Sequence, residues 1–136
     1  MAFTHTAEDE QAIRQAALDY IESQHHVDRG QLERSVHPRL VKRTFWTDTV
    51  TRKQYLDEMS LEQLALVAES YNVDGTRFPA NPKKEVEIFD ICGSIASVKL
   101  IADEWVDYMH IIKLNGKWKV VNVLWGFNDP SRHGPK

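Results

Sequence analysis

Apolar residues recur at helical spacing near the start of the chain. Five of them would share one face of a first helix, with Thr6 as its N-cap and acidic residues in its first turn. Asp9 stands three residues after Thr6, from where its carboxylate can accept a hydrogen bond at the cap. The pattern predicts an amphipathic helix whose inward residues are Ile13, Ala16, Ala17, Tyr20 and Ile21.

Two more helices and two strands are predicted before the middle of the chain. A short helix follows Asp28 and is stopped by Pro38, which cannot continue a helix. A strand from Leu40 to Trp46 and a short strand near Tyr55 to Met59 come next. Ser60 then begins a third helix as its N-cap.

The second half of the chain changes to the pattern of β-strands. Asn115-Gly116 is a strong hairpin signal, because a type I′ turn needs positive φ at both central residues. Two further short turns separate the remaining runs. Helices first and a four-stranded meander last predict an α+β fold. The strands are predicted at Glu85–Cys92, Ile95–Ala102, Trp105–Leu114 and Lys117–Trp125.

Two-residue turns fix the register of paired strands, so the residues that share a sheet face can be predicted. Both faces are apolar, whereas a sheet with one face in water has a polar face. We expect one face to pack on the helices and the other on a second copy of the chain. The first face collects Ile88, Asp90, Ser97, Lys99, Ile101, Val106, Tyr108, His110, Ile112, Lys119, Val121, Val123 and Trp125, and the second collects Phe89, Ile91, Val98, Leu100, Trp105, Asp107, Met109, Ile111, Trp118, Val120, Asn122 and Leu124.

The order of these elements and three segments resemble the nuclear-transport-factor-2-like (NTF2-like) superfamily. The segments HPRLVKR, LEQL and YMHIIKLNGKWKVVNVLW look most like its branch labelled "Putative lumazine-binding", over about Glu8 to Phe127. The resemblance implies a cone of the SnoaL-like, ketosteroid-isomerase-like kind. Its curved antiparallel sheet carries about three N-terminal helices on its concave face, around a small-molecule pocket. We expect one domain over residues 1–136, with a core of about 8–127 and a loose tail over 128–136.

Ketosteroid isomerases of this fold hold a dienolate with a tyrosine and a protonated aspartate, while a second aspartate moves the proton. The resemblance places the tyrosine at Tyr20, the oxyanion-hole aspartate at or near Tyr108, and the pocket aromatic at Trp125. The general base falls about Arg43, where the chain has no carboxylate. Steroid isomerase activity is therefore not expected.

The same comparison makes the face that carries His110 the concave one. His110 is the predicted acid or base, with Tyr20 as a second catalytic candidate, although both residue types also occur as core residues with a buried partner. The predicted ligand-binding residues are Tyr20, Trp46, Lys99, Tyr108, His110, Val123 and Trp125. The predicted homodimer interface is Met109, Ile111, Trp118, Val120, Asn122 and Leu124.

Charge and composition argue against several other classes. The net charge is −3 and no basic run occurs, so we expect neither nucleic-acid nor membrane-surface binding. No apolar stretch approaches the roughly 20 residues of a membrane span. The segment MAFTHTAEDEQ lacks the cationic and apolar regions of a secretory signal, so a cytoplasmic protein is expected. His25 and His26 are predicted to end a helix, and neither a metal nor a cofactor is predicted.

The sequence is compatible with three functions. The first is the binding of a small, largely apolar molecule in the cone, which an aromatic-rich face without an intact acid–base pair favours. The second is a cofactor-independent dehydratase, cyclase or isomerase with His110 as its acid or base. The third is a dimeric adaptor or transport protein whose partner binds outside the cone.

Overall fold

The computed structural model describes residues 5–134, so the first four residues of the predicted N-terminal region and the last two of the predicted tail lie outside the described residues. Three helices precede a four-stranded meander, which confirms the α+β class. The helices are α1 (Ala7–His25), α2 (Arg29–Ser35) and α3 (Leu61–Ser70), and the strands are β1 (Val36–Thr47), β2 (Gln54–Ser60), β3 (Lys84–Cys92), β4 (Ile95–Ala102), β5 (Trp105–Leu114) and β6 (Lys117–Phe127).

Each helix begins at the cap that the local sequence predicts. Capping boxes are present at Thr6 and Ser60, and the Asp28 side chain accepts a backbone hydrogen bond at the start of α2. The helix α2 ends at Ser35, ahead of the predicted stop. Pro38 lies inside β1, where the pairing of β1 with β6 is irregular, so its missing N–H breaks no regular ladder.

The six strands form one curved sheet in the order β2-β1-β6-β5-β4-β3. Its neighbouring strands are antiparallel, as predicted, except for β1 and β6, which run parallel. Asn115 and Gly116 have φ values of 53° and 78°, as a tight hairpin turn requires. The helices cover one face of the sheet, here called the concave face, and the opposite face is called the outer face.

A bulge in β6 changes which of its residues point toward the helices. The register between β5 and β6 shifts by one residue, so that Val121 has no opposite partner. An extra residue reverses the alternation of side chains along a strand. Trp118 and Val120 are therefore buried before the bulge and Val123 after it. A similar shift occurs at Phe89 in β3.

The concave face is the opposite of the predicted one along β5. Met109 and Ile111 are each 1% exposed, whereas Tyr108 is 50% exposed and His110 is also exposed. Both faces are apolar, so alternation alone could not distinguish them. The predicted dimer interface is wrong for residues that lie in the core of the chain itself, namely Met109, Ile111, Trp118 and Val120. Asn122 and Leu124 are exposed on the outer face.

Asp9 ties the first turn of α1 to the sheet. Its Oδ1 accepts hydrogen bonds from Trp118 Nε1 and from Lys113 Nζ, each at 3.0 Å. These bonds, with the capping bond at Thr6, hold the pKa of Asp9 well below its ordinary value. One carboxylate thus fixes the start of the helix and the β5–β6 hairpin together.

The segment after β6 is ordered, contrary to the predicted loose tail. Pro130–His133 forms a 3-10 helix, and His133 is 3% exposed. The His133 Nε2 accepts a hydrogen bond from the backbone N–H of Phe127 at 3.1 Å, and Nδ1 donates to the carbonyl of Phe45 at 2.8 Å. Its ring also stacks on that of Phe45 at 4.2 Å between centroids. The segment is therefore pinned across β1 and β6.

Candidate functional site

A cavity of about 320 Å³ lies between the helices and the concave face. This volume is at the lower end of the roughly 300–1,000 Å³ range of ligand pockets. Helices, strands and the segment after β6 all contribute to its wall. Its aromatic residues are Tyr20, Tyr71, Phe78, Trp105, Trp125 and Phe127, its aliphatic residues are Ile21, Met59 and Val67, and its polar residues are Gln24, Lys42, Asp107 and Arg132.

Packed aromatic rings make the cavity wall rigid and apolar. The ring centroids of Phe78 and Trp105 are 5.7 Å apart, and those of Trp125 and Phe127 are 5.2 Å apart. Rings at these distances hold one another in fixed orientations. The wall therefore offers flat surfaces that suit a ring-shaped ligand.

Tyr20 supplies a hydroxyl that no protein group satisfies. The residue is fully buried on the inward face of α1, and its hydroxyl makes no hydrogen bond to any of residues 5–134. Burial raises the pKa of Tyr20, and the negative charge of Asp107 raises it further. The hydroxyl is thus a neutral donor at physiological pH. An unmade hydrogen bond at a buried group costs about 1–3 kcal/mol, which a ligand oxygen would recover.

Asp107 supplies an acid in the middle of β5. It is 4% exposed, and within the described chain its carboxylate accepts no hydrogen bond. Burial raises the pKa of Asp107 to about 6, and the positive charge of Lys42 acts in the opposite direction. An ordinary aspartate titrates near pH 4, so this carboxyl group changes its charge unusually close to neutrality.

Lys42 supplies the positive charge from β1. Its Nζ lies 5.3 Å from the centroid of the Tyr20 ring and 5.6 Å from that of the Trp125 ring. Only β6 separates β1 from β5, and Lys42 lies opposite Val123 whereas Asp107 lies opposite Trp125. With this offset of two residues, the backbones of Lys42 and Asp107 are about 12 Å apart at ordinary strand spacing. Burial lowers the pKa of Lys42, and the carboxylate of Asp107 raises it.

Arg132 contributes a second positive charge to the cavity wall. Its guanidinium carbon lies 4.4 Å from the centroid of the Phe127 ring, and the guanidinium also pairs with Glu104. Because Arg132 belongs to the 3-10 helix, the segment that was predicted to be a loose tail contributes to the cavity wall.

The structure places two of the predicted ligand-binding residues on the cavity wall, Tyr20 and Trp125. Trp46 contacts the Trp125 ring at 6.0 Å without lining the cavity, and Val123 is buried in the core. The remaining three predictions are wrong about position, because the alternation along β4 and β5 is opposite to the one assumed. These outer-face residues are Lys99, Tyr108 and His110.

His110 is therefore separated from the cavity by the sheet. Its Nδ1 lies 3.3 Å from the Asn122 Nδ2 on the outer face. The predicted role of His110 as an acid or base in the cavity is wrong, since the two lie on opposite sides of the backbone.

The predicted ligand-binding residues include neither Lys42 nor Asp107, although each has a signal in the sequence. Asp107 lies two residues from Trp105 and two from Met109, so the three side chains share one sheet face. Burial of the two apolar side chains on that face also buries the carboxylate. Lys42 lies two residues after Leu40 and therefore on the same face of β1, and Leu40 is only 2% exposed. A charged residue in register with large apolar residues is the pattern that could have identified both.

The described residues contain neither a metal-ligand cluster nor a helix that could span a membrane. Across residues 5–134, no three or more His, Cys, Asp or Glu side chains are grouped so that they could hold a metal ion. His25 packs its ring edge-on against Phe78 at 4.3 Å, and burial lowers the pKa of His25. No helix of the described chain has both the length and the apolar character to cross a membrane.

The chain is similar to a known protein family and to several solved structures. The family model described as "Putative lumazine-binding" matches residues 8–126. An NTF2-like protein of unknown function from Silicibacter pomeroyi is 16% identical, with 92% of this chain and 100% of that chain covered and a TM-score of 0.71. A ketosteroid isomerase-like protein from Erwinia carotovora atroseptica is 15% identical, with coverages of 92% and 100% and a TM-score of 0.61.

A third solved structure is also similar over most of the chain. A "Putative Scytalone Dehydratase" from Novosphingobium aromaticivorans is 12% identical, with 89% of this chain and 85% of that chain covered and a TM-score of 0.58. No curated protein sequence matches the chain. Identities this low establish the fold alone. Together with the family model over residues 8–126, these structures confirm the predicted NTF2-like cone.

Proposed function

Because the chain belongs to the "Putative lumazine-binding" family of NTF2-like proteins, we propose that it binds a small ring-shaped molecule with polar oxygens in the cavity. One observation carries the proposal: Tyr20, Lys42 and Asp107, from three different elements, face one aromatic cavity without hydrogen-bond partners in the described chain. Buried polar groups are rarely left unpaired, and a few converging polar groups in an apolar pocket are typical of ligand sites. The predicted cellular location of the protein, the cytoplasm, stays a prediction.

The chemistry of the three groups defines the ligand class. Tyr20 donates a hydrogen bond to an acceptor such as a carbonyl oxygen. Asp107, when ionised, accepts a hydrogen bond from a hydroxyl or ring N–H, and Lys42 favours an acidic oxygen. The volume of about 320 Å³ and the flat walls fit one or two fused rings. Lumazine, a fused two-ring dione, is one compound of this form.

Tryptophan fluorescence tests the proposal, because Trp105 and Trp125 line the cavity. Lumazine, 2-naphthol and 7-hydroxycoumarin are the test compounds, and saturable quenching by at least one is expected. Tyr20→Phe should weaken binding about tenfold, since one hydrogen bond contributes roughly 1–1.5 kcal/mol. Tyr108→Phe is the matched control on the outer face and should leave binding unchanged.

Two results would contradict the proposal. One is the absence of saturable quenching together with the absence of a bound complex in native mass spectrometry for all three compounds. The other is equal weakening by Tyr20→Phe and Tyr108→Phe, since only the first of these tyrosines lines the cavity.

A second candidate function, cofactor-independent proton transfer, is favoured by Asp107. A carboxyl group with a pKa of about 6 titrates near the pH at which general acids and bases work best. Here Asp107 replaces His110 as the group that moves the proton, and Tyr20 holds the substrate oxygen. Exchange of the α-protons of 2-tetralone in D₂O, followed by NMR, measures this activity. Asp107→Asn should slow it about 100-fold, and exchange no faster than in buffer would reject it.

The expected homodimer stays a proposal, now through the outer face. Phe89, Tyr108 and Leu124 are 49%, 50% and 56% exposed there, and the rings of Phe89 and Tyr108 stack at 6.2 Å. Clustered apolar residues on a sheet face are typical of a protein interface.

A further inference from the structure

Lys42 differs in its surroundings from the lysines of the described chain that form ion pairs. Lys84 pairs with Glu22 at 2.8 Å and Lys113 pairs with Asp9 at 3.0 Å. Among residues 5–134 the Lys42 amine forms no hydrogen bond and no ion pair within 4 Å, although the charge of Asp107 acts on it from farther away. It lies instead between two aromatic rings on the wall of a cavity. A lysine held in this way is available to a molecule that enters the cavity.

Apolar surroundings make such an amine a nucleophile. With an ordinary pKa of 10.4, about one lysine in 2,500 is uncharged at pH 7, and only the uncharged amine attacks carbon. Removal from water destabilises the ammonium form, and burial lowers the pKa of Lys42 accordingly. Desolvation in an apolar pocket is a common means of activating a lysine toward carbonyl compounds.

The neighbouring groups match the proton transfers that carbonyl addition requires. Tyr20 presents an unpaired hydroxyl donor, which suits a carbonyl oxygen. Asp107 shares the cavity and can exist in either protonation state near pH 6. Both groups therefore lie in the cavity that holds the amine.

We propose that Lys42 captures an aldehyde or ketone carried on a small ring system as an imine. The proposal rests on the proposed function, because the ring must first occupy the cavity. The Nζ lone pair forms the C–N bond as the C=O π bond breaks, and one N–H proton of the attacking amine passes to the carbonyl oxygen to give a carbinolamine. Asp107 then protonates the hydroxyl, the C–O bond breaks to release water, and the second N–H proton returns to the Asp107 carboxylate. One carbonyl and one amine yield one imine and one water, with no change in oxidation state.

Reductive trapping tests this proposal on the full chain. The probe is 2-naphthaldehyde at equimolar, micromolar concentration with sodium cyanoborohydride, which converts an imine to a stable secondary amine. Proteolysis and tandem mass spectrometry locate the adduct. We expect labelling at Lys42 at least tenfold above any other lysine in the parent chain, a result that needs no variant to fold.

Variants distinguish a nucleophilic role of Lys42 from a role as a positive charge alone. Lys42→Arg keeps the charge and should lose the adduct, whereas Lys99→Met should leave the labelling at Lys42 intact. Lys99 is the matched control, because its Nζ also faces an aromatic ring, that of Tyr108 at 5.8 Å, but on the outer face. Asp107→Asn should slow trapping by tenfold or more, since it removes the acid for the loss of water.

Binding of 2-naphthol, which has no carbonyl group, distinguishes the two proposals. If 2-naphthol binds in the cavity but no adduct forms, or labelling is spread evenly over the lysines, imine formation is refuted and the binding function stands. If none of lumazine, 2-naphthol and 7-hydroxycoumarin binds and no adduct forms, both are refuted.

Discussion

Asp107→Asn should make the folded chain more stable at pH 8. The wild-type carboxylate is buried, accepts no hydrogen bond within the described chain, and is only partly compensated by Lys42. Asparagine has nearly the same shape and cannot ionise, so it resembles the protonated acid. The substitution therefore removes the cost of a buried negative charge.

The magnitude follows from the pKa of Asp107, which rises from 3.8 to about 6 on folding. A rise of about two units, at 1.36 kcal/mol per unit, corresponds to about 3 kcal/mol. Between about pH 4 and 6 the folded chain binds more protons at this site than the unfolded chain, so wild-type stability falls as pH rises. The full cost is present above about pH 6 and absent below about pH 4.

Urea unfolding at unit intervals from pH 4 to 8 measures this difference. The gain from Asp107→Asn should grow from near zero at pH 4 to about 3 kcal/mol at pH 8, or roughly 9 °C in Tm. Asp90→Asn, at an exposed position of β3, should stay within about 0.5 kcal/mol throughout. A gain that is equal at pH 4 and pH 8, or a loss at pH 8, would refute the reasoning.

Three further predictions concern the outer face and the two ends of the chain. Leu124→Glu should dissociate the proposed dimer in sedimentation velocity, while Leu66→Glu, at a similarly exposed position of α3, should not; a monomeric parent chain would contradict the dimer. Asp9→Ala should lower Tm at pH 7, and this loss should shrink only below about pH 4, where the Asp9 carboxylate of the unfolded wild-type chain begins to be protonated while that of the folded chain stays ionised. A loss independent of pH would contradict that account. His133→Ala should cost about 2–3 kcal/mol in urea unfolding, because it removes two hydrogen bonds and a buried ring; a change below 0.5 kcal/mol would show that the segment is not pinned.

Features set by neighbouring residues could be predicted from the sequence. The caps at Thr6 and Ser60 and the turn at Asn115-Gly116 depend on a few consecutive residues, and all three are present. The parallel pairing of β1 with β6 depends on residues far apart in the chain, so no local pattern indicates it.

The cavity could be predicted only in part, because it depends on which sheet face meets the helices. Met109 and Tyr108 are both apolar enough for a core, and alternation does not say which of them is inside. The bulge at Val121 reverses the alternation within β6. As a result Trp125 faces the helices, as predicted, and Trp118 faces them too, although it was predicted on the opposite face. Asp107 was assigned to the wrong side with its neighbours, and its chemistry was missed for that reason.

The pairing of β1 with β6 also sets the order in which the chain can assemble. Val36 pairs with Val120, so most of the chain lies between two strands that must meet. Closing so long a loop is entropically costly, and such non-local contacts slow folding. The β1–β2 hairpin and the later strands can each form locally, but β1 keeps an open edge until the last strand has been synthesised. Lys42 lies on β1 and Asp107 on β5, the two neighbours of β6 in the sheet. The cavity wall is therefore complete only when β6 has paired with both strands.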